Sequence, residues 1–301
     1  GRDETTLRGK LRLELPGRWR ADVAALYVDL DNGYDAFSLD NTWRTLSDRP
    51  GRDAQRTEGL SFALAGPLGA YTLSSTSAYA VSDSRYSFDG DWANDEYWGE
   101  YAPYDYYSNY QRDRTTLSED LRLAGSASAG RVDWVAGLYA LRLEEDSLQR
   151  DYFADELMAA PLETEYAATS LAVYGEAEWR ISEAVALTAG LRAETRAADY
   201  RDSNGTAFDP RDTMFGGQLS LEGPVGQATR WYATVARGYK AGGFNIGNAV
   251  REDRRQFDPE YLWNAEVGLR YADADARLQG EVSLFHMWRE EQQVATSFQL
   301  D

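Results

Sequence analysis

The chain has 301 residues, and its 50 Asp and Glu against 31 Lys and Arg give a formal net charge of −19; no basic stripe is present to neutralise phosphates, which excludes nucleic acid as a partner. There is no cysteine, so disulfides, thiolate metal sites and cysteine nucleophiles are excluded as well. Trp and Tyr, at 9 and 20, outnumber the 10 Phe, a balance that suits rings with one wet end better than a dry core, and the longest apolar runs fall far short of the ~20 residues of a membrane helix.

Alternation at period two recurs from end to end, and no helical period does. About twelve strands are expected, over 5–15, 18–30, 55–65, 70–88, 110–124, 131–150, 165–181, 185–198, 213–222, 229–239, 259–271 and 276–294. The later ones are clearest. In 171–181, Leu171, Val173, Gly175, Ala177, Trp179 and Ile181 alternate with Ala172, Tyr174, Glu176, Glu178 and Arg180. In 185–194, Val185, Leu187, Ala189, Leu191 and Ala193 alternate with Thr188, Gly190, Arg192 and Glu194. Trp263, Ala265, Val267 and Leu269 oppose Asn264, Glu266, Gly268 and Arg270, and Leu278, Gly280, Val282 and Leu284 oppose Gln279, Glu281 and Ser283.

Short turns near Pro16-Gly17, 66–69, 125–130, 182–184, 223–226 and 272–275 alternate with long connections near 31–52, 89–108, 151–164, 199–212 and 240–257. All eight prolines are expected in or bounding connections, where a residue that cannot donate to a strand ladder belongs. No linker or composition break divides residues 1–301, so one domain is expected.

Alternation alone does not say which way the apolar face points, because a soluble sandwich alternates too. Two features favour an antiparallel transmembrane β-barrel. Its turns are short at one end and long at the other. Its second face is densely charged, with Glu176, Glu178, Arg192, Glu194, Glu266, Arg270 and Glu281. Turning that face to lipid would cost up to ~2–4 kcal/mol per Arg at mid-depth. The expected lipid-facing set is therefore Leu171, Val173, Ala177, Trp179, Val185, Leu187, Leu191, Trp263, Val267, Leu269, Val282 and Leu284. In "WYATVARGYKAGGFNIGN" (231–248), Trp231, Ala233 and Val235 then face lipid, and Arg237 marks where the strand leaves hydrocarbon. Tyr239 is placed at headgroup level with its hydroxyl wet. Gly242-Gly243 is read as supplying backbone angles closed to other residues.

The most distinctive connection is "YSFDGDWANDEYWGEYAPYDYY" (86–107). Residues 89–105 hold Asp89, Asp91, Asp95, Glu96, Glu100 and Asp105 and no Lys or Arg, interleaved with aromatics. Trp92, Trp98, Tyr101, Tyr104 and Tyr106, with Tyr239, Lys240 and Phe244 at a later connection, are the candidate ligand contacts; rings stack on a ligand while acids and hydroxyls bond its periphery. The same residues also suit an aromatic girdle with ordinary loop packing. The acid spacing fits no EF-hand loop, and no catalytic, metal or cofactor site is expected. His286, the only histidine, continues the Val282, Leu284 phase. Ser283, three residues away, falls on the other face, where the two cannot pair. Glu144, Glu145 and Asp146 read as a wet strand end rather than a paired-carboxylate site.

At "VARGYKAGGFN" and "FDPEYLWNAEVGLR" (257–270) the chain resembles the TonB-dependent outer-membrane receptors. "LSEDLRLAG" (117–125), "DWVAGLYALRLEED" (133–146), "LAVYGEAEWRISEAVALTAGLRAE" (171–194) and "LFHMWREEQQVATSFQ" (284–299) follow in the family's order. The resemblance implies a Gram-negative outer-membrane barrel of twenty-two strands with an N-terminal plug. Such receptors capture a scarce nutrient, typically a ferric siderophore, sometimes cobalamin, haem or a glycan, and import it with energy passed through TonB. Against that plan, residues 1–301 read as an internal barrel fragment without plug, TonB-contact segment or closing strand, and with two unpaired sheet edges. A passive porin and a carbohydrate-binding surface β-protein are the alternative readings.

Overall fold

The computed structural model describes residues 2–34, 37–39, 41–246, 254–273, 275 and 277–294. Twelve long strands lie side by side in strict chain order. They are β1 (Glu4–Leu15), β2 (Trp19–Tyr34), β3 (Gly51–Leu68), β4 (Tyr71–Asp89), β5 (Tyr106–Ala127), β6 (Val132–Phe153), β8 (Leu162–Arg180), β9 (Ala186–Asp202), β11 (Arg211–Val225), β12 (Thr229–Lys240), β15 (Glu260–Ala272) and β16 (Gln279–Glu290). Two-residue strands β7 (Glu156–Leu157) and β10 (Ala207–Phe208) extend β6 and β9, and β13 (Gly243–Phe244) pairs with β14 (Gln256–Phe257) as a separate ribbon. Every pairing is antiparallel, and the sheet is open, ending at β1 and β16. Among the described residues no helix is long and apolar enough to cross a membrane, a statement that does not touch a protein crossing with strands.

Register fixes the two faces, because directly opposed residues point the same way. Val173 opposes Leu138 and Ala193, Leu187 opposes Trp179 and Leu221, and Val267 opposes Ala233 and Leu284. Carried across the sheet, the pairings place Leu11, Val23, Phe62, Leu121, Leu138, Val173, Leu219, Val235 and Val267 on a single face. That face is uncovered: Leu191 is 77% and Leu284 75% exposed. The described residues therefore form no conventional core, only small buried spots such as Ala168, Ala172, Met214 and Tyr232. The opposite face carries the charges in ladders. Gln218 donates to Glu176 at 2.7 Å, Tyr232 to Glu266 at 2.6 Å, Arg192 pairs with Glu194 at 2.8 Å and Arg270 with Glu281 at 3.2 Å.

A carboxylate interrupts the apolar face at the depth of Phe62 and Leu171. Glu119 lies in phase with Leu117 and Leu121, and the hydroxyls of Ser75 (2.5 Å) and Ser77 cap its two oxygens. On the polar face glycines serve as sockets for rings. A Cβ on Gly137 would lie 2.4 Å from Tyr174 Cζ, and one on Gly268 2.5 Å from Tyr232 Cε1. Tyr174 thereby reaches Asp120 at 2.5 Å, and Tyr232 reaches both Glu266 and Glu281.

Strand boundaries differ from the sequence reading mainly at the long-connection ends. β2 runs to 34 rather than 30, β3 starts at 51 rather than 55, β5 at 106 rather than 110, and β9 ends at 202 rather than 198. Where both faces are wet, alternation no longer marks a strand that pairing still holds. β16 is shorter, 279–290, and the end of the expected 276–294 strand falls outside it, with only residues up to 294 described. Val185 sits in the turn before β9. Pro67 and Pro224 are in strands after all, each next to the last residue; at a strand end a proline forfeits little of the ladder.

Candidate ligand-binding face

At the long-connection edge, three connections converge on Arg49. Its Nη1 meets Asp105 Oδ1 at 3.1 Å, its Nη2 meets Asp155 Oδ1 at 2.8 Å, and its guanidinium stacks 4.8 Å over the Tyr107 ring. The β2–β3, β4–β5 and β6–β8 connections are thus held by one planar cation whose fork can bond two carboxylates at once.

The β4–β5 connection is built around two buried acids, Asp89 (5% exposed) and Asp91 (6%). Asp89 Oδ1 accepts the backbone N–H of Asp91 and of Trp92, each at 3.2 Å. Asp91 accepts from Trp98 Nε1 at 2.8 Å and from the Tyr106 N–H at 2.9 Å. Burial, with Asp91 alongside, pushes the Asp89 carboxyl up to about 6. Burial and the charge of Asp105 also raise Asp48. A four-residue helix, Asp95–Trp98, starts at Asn94, whose Oδ1 accepts the Tyr97 N–H at 3.0 Å. The sequence reading expected no helix, and one turn is too short to leave a periodic signal.

This wiring sorts the sequence candidates. Trp98 packs on Tyr104 (4.5 Å between centroids), Tyr104 on Tyr106 (5.0 Å) and Tyr106 on Phe153 (5.0 Å), while Trp92 stacks on Phe37 at 4.9 Å. The four candidates among these rings, Trp92, Trp98, Tyr104 and Tyr106, hold the loop's shape. Tyr101, 72% exposed, presents its ring outward. So does Trp43, which no pattern singled out and whose side chain is fully exposed. A Trp in the polar stretch "LDNTWRTLSD", with no alternation to bury it, was the available signal.

The second group divides similarly. Phe244 closes an aromatic cluster, 4.8 Å from Phe208, 4.9 Å from Tyr200 and 6.1 Å from Tyr166. Lys240 is exposed at the end of β12, opposite Glu260. Tyr239 does not turn its hydroxyl to a headgroup zone. It donates to Glu194 at 3.0 Å and accepts from Arg192 Nε at 2.9 Å, on the charged face. Side-chain-free Gly216 leaves the room, since a Cβ there would strike Tyr239 Cε1 at 2.9 Å. Gly242 and Gly243 have no positive φ. They are needed for close approach instead, a Cβ on Gly242 falling 2.4 Å from the Phe257 carbonyl oxygen. Arg237 lies 3.7 Å over the Tyr261 ring and bonds the Phe215 carbonyl.

His286 opposes Ala265 on the apolar face and stacks near Trp288 at 5.7 Å, and Ser283 opposes Gly268 on the other face. Glu145 pairs with Arg112 and Arg114, and Glu144 with Arg142 at 2.9 Å. Among the described residues no group of three or more His, Asp or Glu is arranged to hold a metal ion. What the edge offers chemically is exposed rings with acids and hydroxyls around them, suited to stacking and polar contact rather than bond-making.

The family model described as "TonB dependent receptor-like, beta-barrel" matches residues 2–300. The chain belongs to the TonB-dependent receptor family. A curated relative, the pesticin receptor of Yersinia pestis, is 30% identical over 175 residues, 56% of this chain and 26% of the relative. Among solved structures, the ferric yersiniabactin uptake receptor FyuA from Yersinia pestis aligns with a TM-score of 0.81 at 20% identity, covering 98% of this chain and 46% of that one. The ferric citrate transporter FecA gives 0.73 at 15%, covering 95% and 43%. The chain thus spans about a quarter of the curated relative and under half of these structures. TonB-dependent receptor barrels sit in the outer membrane of Gram-negative bacteria, and these neighbours are receptors and transporters. In this TonB-dependent receptor the long connections form the outward-facing edge and the short turns the periplasmic one.

Proposed function

We propose that this chain forms part of the wall and external loops of an outer-membrane receptor that captures a ferric siderophore and passes it inward with energy delivered through TonB. The observation that carries this reading is the family match over residues 2–300, laid on a sheet whose outer edge holds a built aromatic-acidic loop. A ferric yersiniabactin uptake receptor and the siderophore receptor PiuA, both of the same fold, support the ligand class. On this reading Trp43 and Tyr101 contact the ligand first, the face that holds Val173, Leu187 and Val267 meets lipid, and the ladders of Arg192, Glu194, Glu266 and Glu281 line a wet interior. The protein works by binding and transport, not by catalysis.

The test is uptake. A strain lacking the intact receptor should fail to take up radiolabelled iron carried by the siderophore purified from its own iron-starved culture, and the gene should be induced by iron starvation. Undiminished uptake of that complex, with no induction, would overturn the siderophore assignment.

A further inference from the structure

Asp89, at the outer edge, has an arrangement that the ligand reading leaves unexplained. Its Oδ1 accepts two N–H groups, but its Oδ2 is buried without a bond of good geometry; the Ser47 hydroxyl beside it favours the ionised form, and burial outweighs that. Asp91, the other buried acid, has both oxygens occupied. A buried carboxylate oxygen without a donor is costly; adding a proton turns that oxygen into a donor toward Ser47 or Asp91 and removes the cost.

Among the described residues no cation pairs with either acid. Asp48, on the β2–β3 connection, feels the charges of Asp91, Asp95 and Asp105, and its neighbour Arg49 those of Asp105, Asp155 and Tyr107. Arg49 is the cation among them, and it is engaged by Asp105 and by Asp155 from beyond β6. Arg52, on β3 next to this site, is bidentate on Asp31 at 2.7 and 2.8 Å. Asp89 also holds Trp92 at φ +62°, a backbone region L-residues seldom adopt.

We propose that Asp89 and Asp91 form a proton-operated latch that sets whether the 90–105 loop keeps its rings stacked or frees them. With a proton on Asp89 Oδ2 the pair carries one charge and the loop is closed, Trp92 on Phe37 and Trp98 on Tyr104. When that proton leaves to solvent, two buried carboxylates face each other and the loop loosens. The latch positions Trp92, Trp98 and, through the short helix, Tyr101; its bearing on capture rests on the ligand reading above, but its operation does not.

The sign follows from the direction of the shift. The carboxyl rises from 3.8 to about 6 in the closed loop, so closure is fully favoured below 3.8 and is lost as pH rises through about 6. A shift of that size changes the closing constant by on the order of a hundredfold. Ala93, between the two wired segments, is fully buried, and the chain has no cysteine, so Ala93→Cys in the intact receptor on whole cells reports opening through its reaction with a membrane-impermeant maleimide. Glu100→Cys, exposed on the same loop, corrects for thiol ionisation, and the unmodified receptor gives the background.

The quantity to follow is the labelling rate of the Ala93→Cys receptor divided by that of the Glu100→Cys receptor. With no ligand present, this ratio should rise at least tenfold between pH 5 and pH 8 with a midpoint near 6, and Asp89→Asn should abolish the rise by holding the loop closed. Asn keeps the acceptor at Oδ1 and places a donor where the proton sits. Tyr104→Ala, which removes the ring packed on Trp98 and keeps the Trp98 donor to Asp91, should raise the ratio at every pH without moving the midpoint. A flat ratio, a pH dependence that survives Asp89→Asn, or closure governed by added Ca²⁺ instead of protons would overturn the latch. A working latch in a receptor whose siderophore binding ignores pH would instead remove this loop from the ligand face.

Discussion

Placing a methyl group at Gly137 tests how the charged face is held. The new Cβ would lie 2.4 Å from Tyr174 Cζ and 2.5 Å from its hydroxyl oxygen. Carbon contacts settle near ~3.5–4 Å, so the ring must withdraw by roughly 1 Å or more. That movement breaks the 2.5 Å bond to Asp120 and loosens the stack under Arg192, whose guanidinium carbon is 5.6 Å from the Tyr174 ring. A hydrogen bond to a charged group contributes about 1.5–3 kcal/mol and overpacking costs about 1–3 kcal/mol. Because the ring's retreat relieves part of the crowding, Gly137→Ala should destabilise the barrel by about 2–4 kcal/mol. Tyr174→Phe removes only the hydroxyl and leaves Asp120 paired with Arg122 at 2.6 Å, so it should cost about 1–2 kcal/mol. In the double variant the bond is already gone, and the pair should fall short of additivity by about 1–2 kcal/mol. Guanidinium unfolding of the intact receptor in lipid vesicles, followed by tryptophan fluorescence, measures all three. If Gly137→Ala lies within about 0.5 kcal/mol of the parent, or adds fully to Tyr174→Phe, the socket account is wrong.

Trp43→Ala and Tyr101→Ala should each weaken ferric-siderophore binding to the intact receptor about tenfold or more while leaving unfolding midpoints unchanged, whereas Tyr104→Ala should lower loop stability first; equal binding by all three in a fluorescence titration would remove the exposed rings from the ligand face. Spin labels at Val173, Leu187 and Val267 should be reached by lipid-dissolved oxygen and shielded from aqueous nickel complexes, with the reverse at Glu176 and Glu266; the opposite pattern in power-saturation measurements would invert the wall. Replacing Glu119, Ser75 and Ser77 together by Leu, Ala and Ala should leave stability level or higher, while Ser75→Ala with Ser77→Ala alone should cost about 2–4 kcal/mol by stranding the carboxylate, both read by the same unfolding assay.

How much of this was legible beforehand depended on whether one face had to be apolar. Where it did, as in 171–181 against 185–194, period two alone gave the strand, the residues sharing a face and the partner, though not what that face meets, and the register aligns those positions. Where both faces were wet the pattern faded, which is why β2, β3, β5 and β9 each reach four residues further than expected. Glu119 escaped notice because its compensation comes from serines 42 and 44 positions away, a separation no local reading spans. Five of the loop candidates share one connection, but composition could not distinguish Trp98, whose indole is consumed by Asp91, from Tyr101, whose ring stays exposed. Tyr239 was misplaced for a similar reason: its destination was set by the missing side chain of Gly216 on another strand.

The strict chain-order pairing carries a consequence for how such a protein changes. Each ribbon is zipped only to its predecessor and its successor, so the wall behaves as a one-dimensional stack whose rungs answer to near neighbours. Lengthening a surface excursion between two rungs adds only about 0.6 kcal/mol of closure entropy per doubling and disturbs no distant seam. On the proposed reading, what is recognised outside can therefore be rewritten excursion by excursion while the strands of the wall stay as they are. Exceptions are the trio clasped by Arg49 and the two excursions packed together at Phe208 and Phe244, where an edit to one must be answered in its partners.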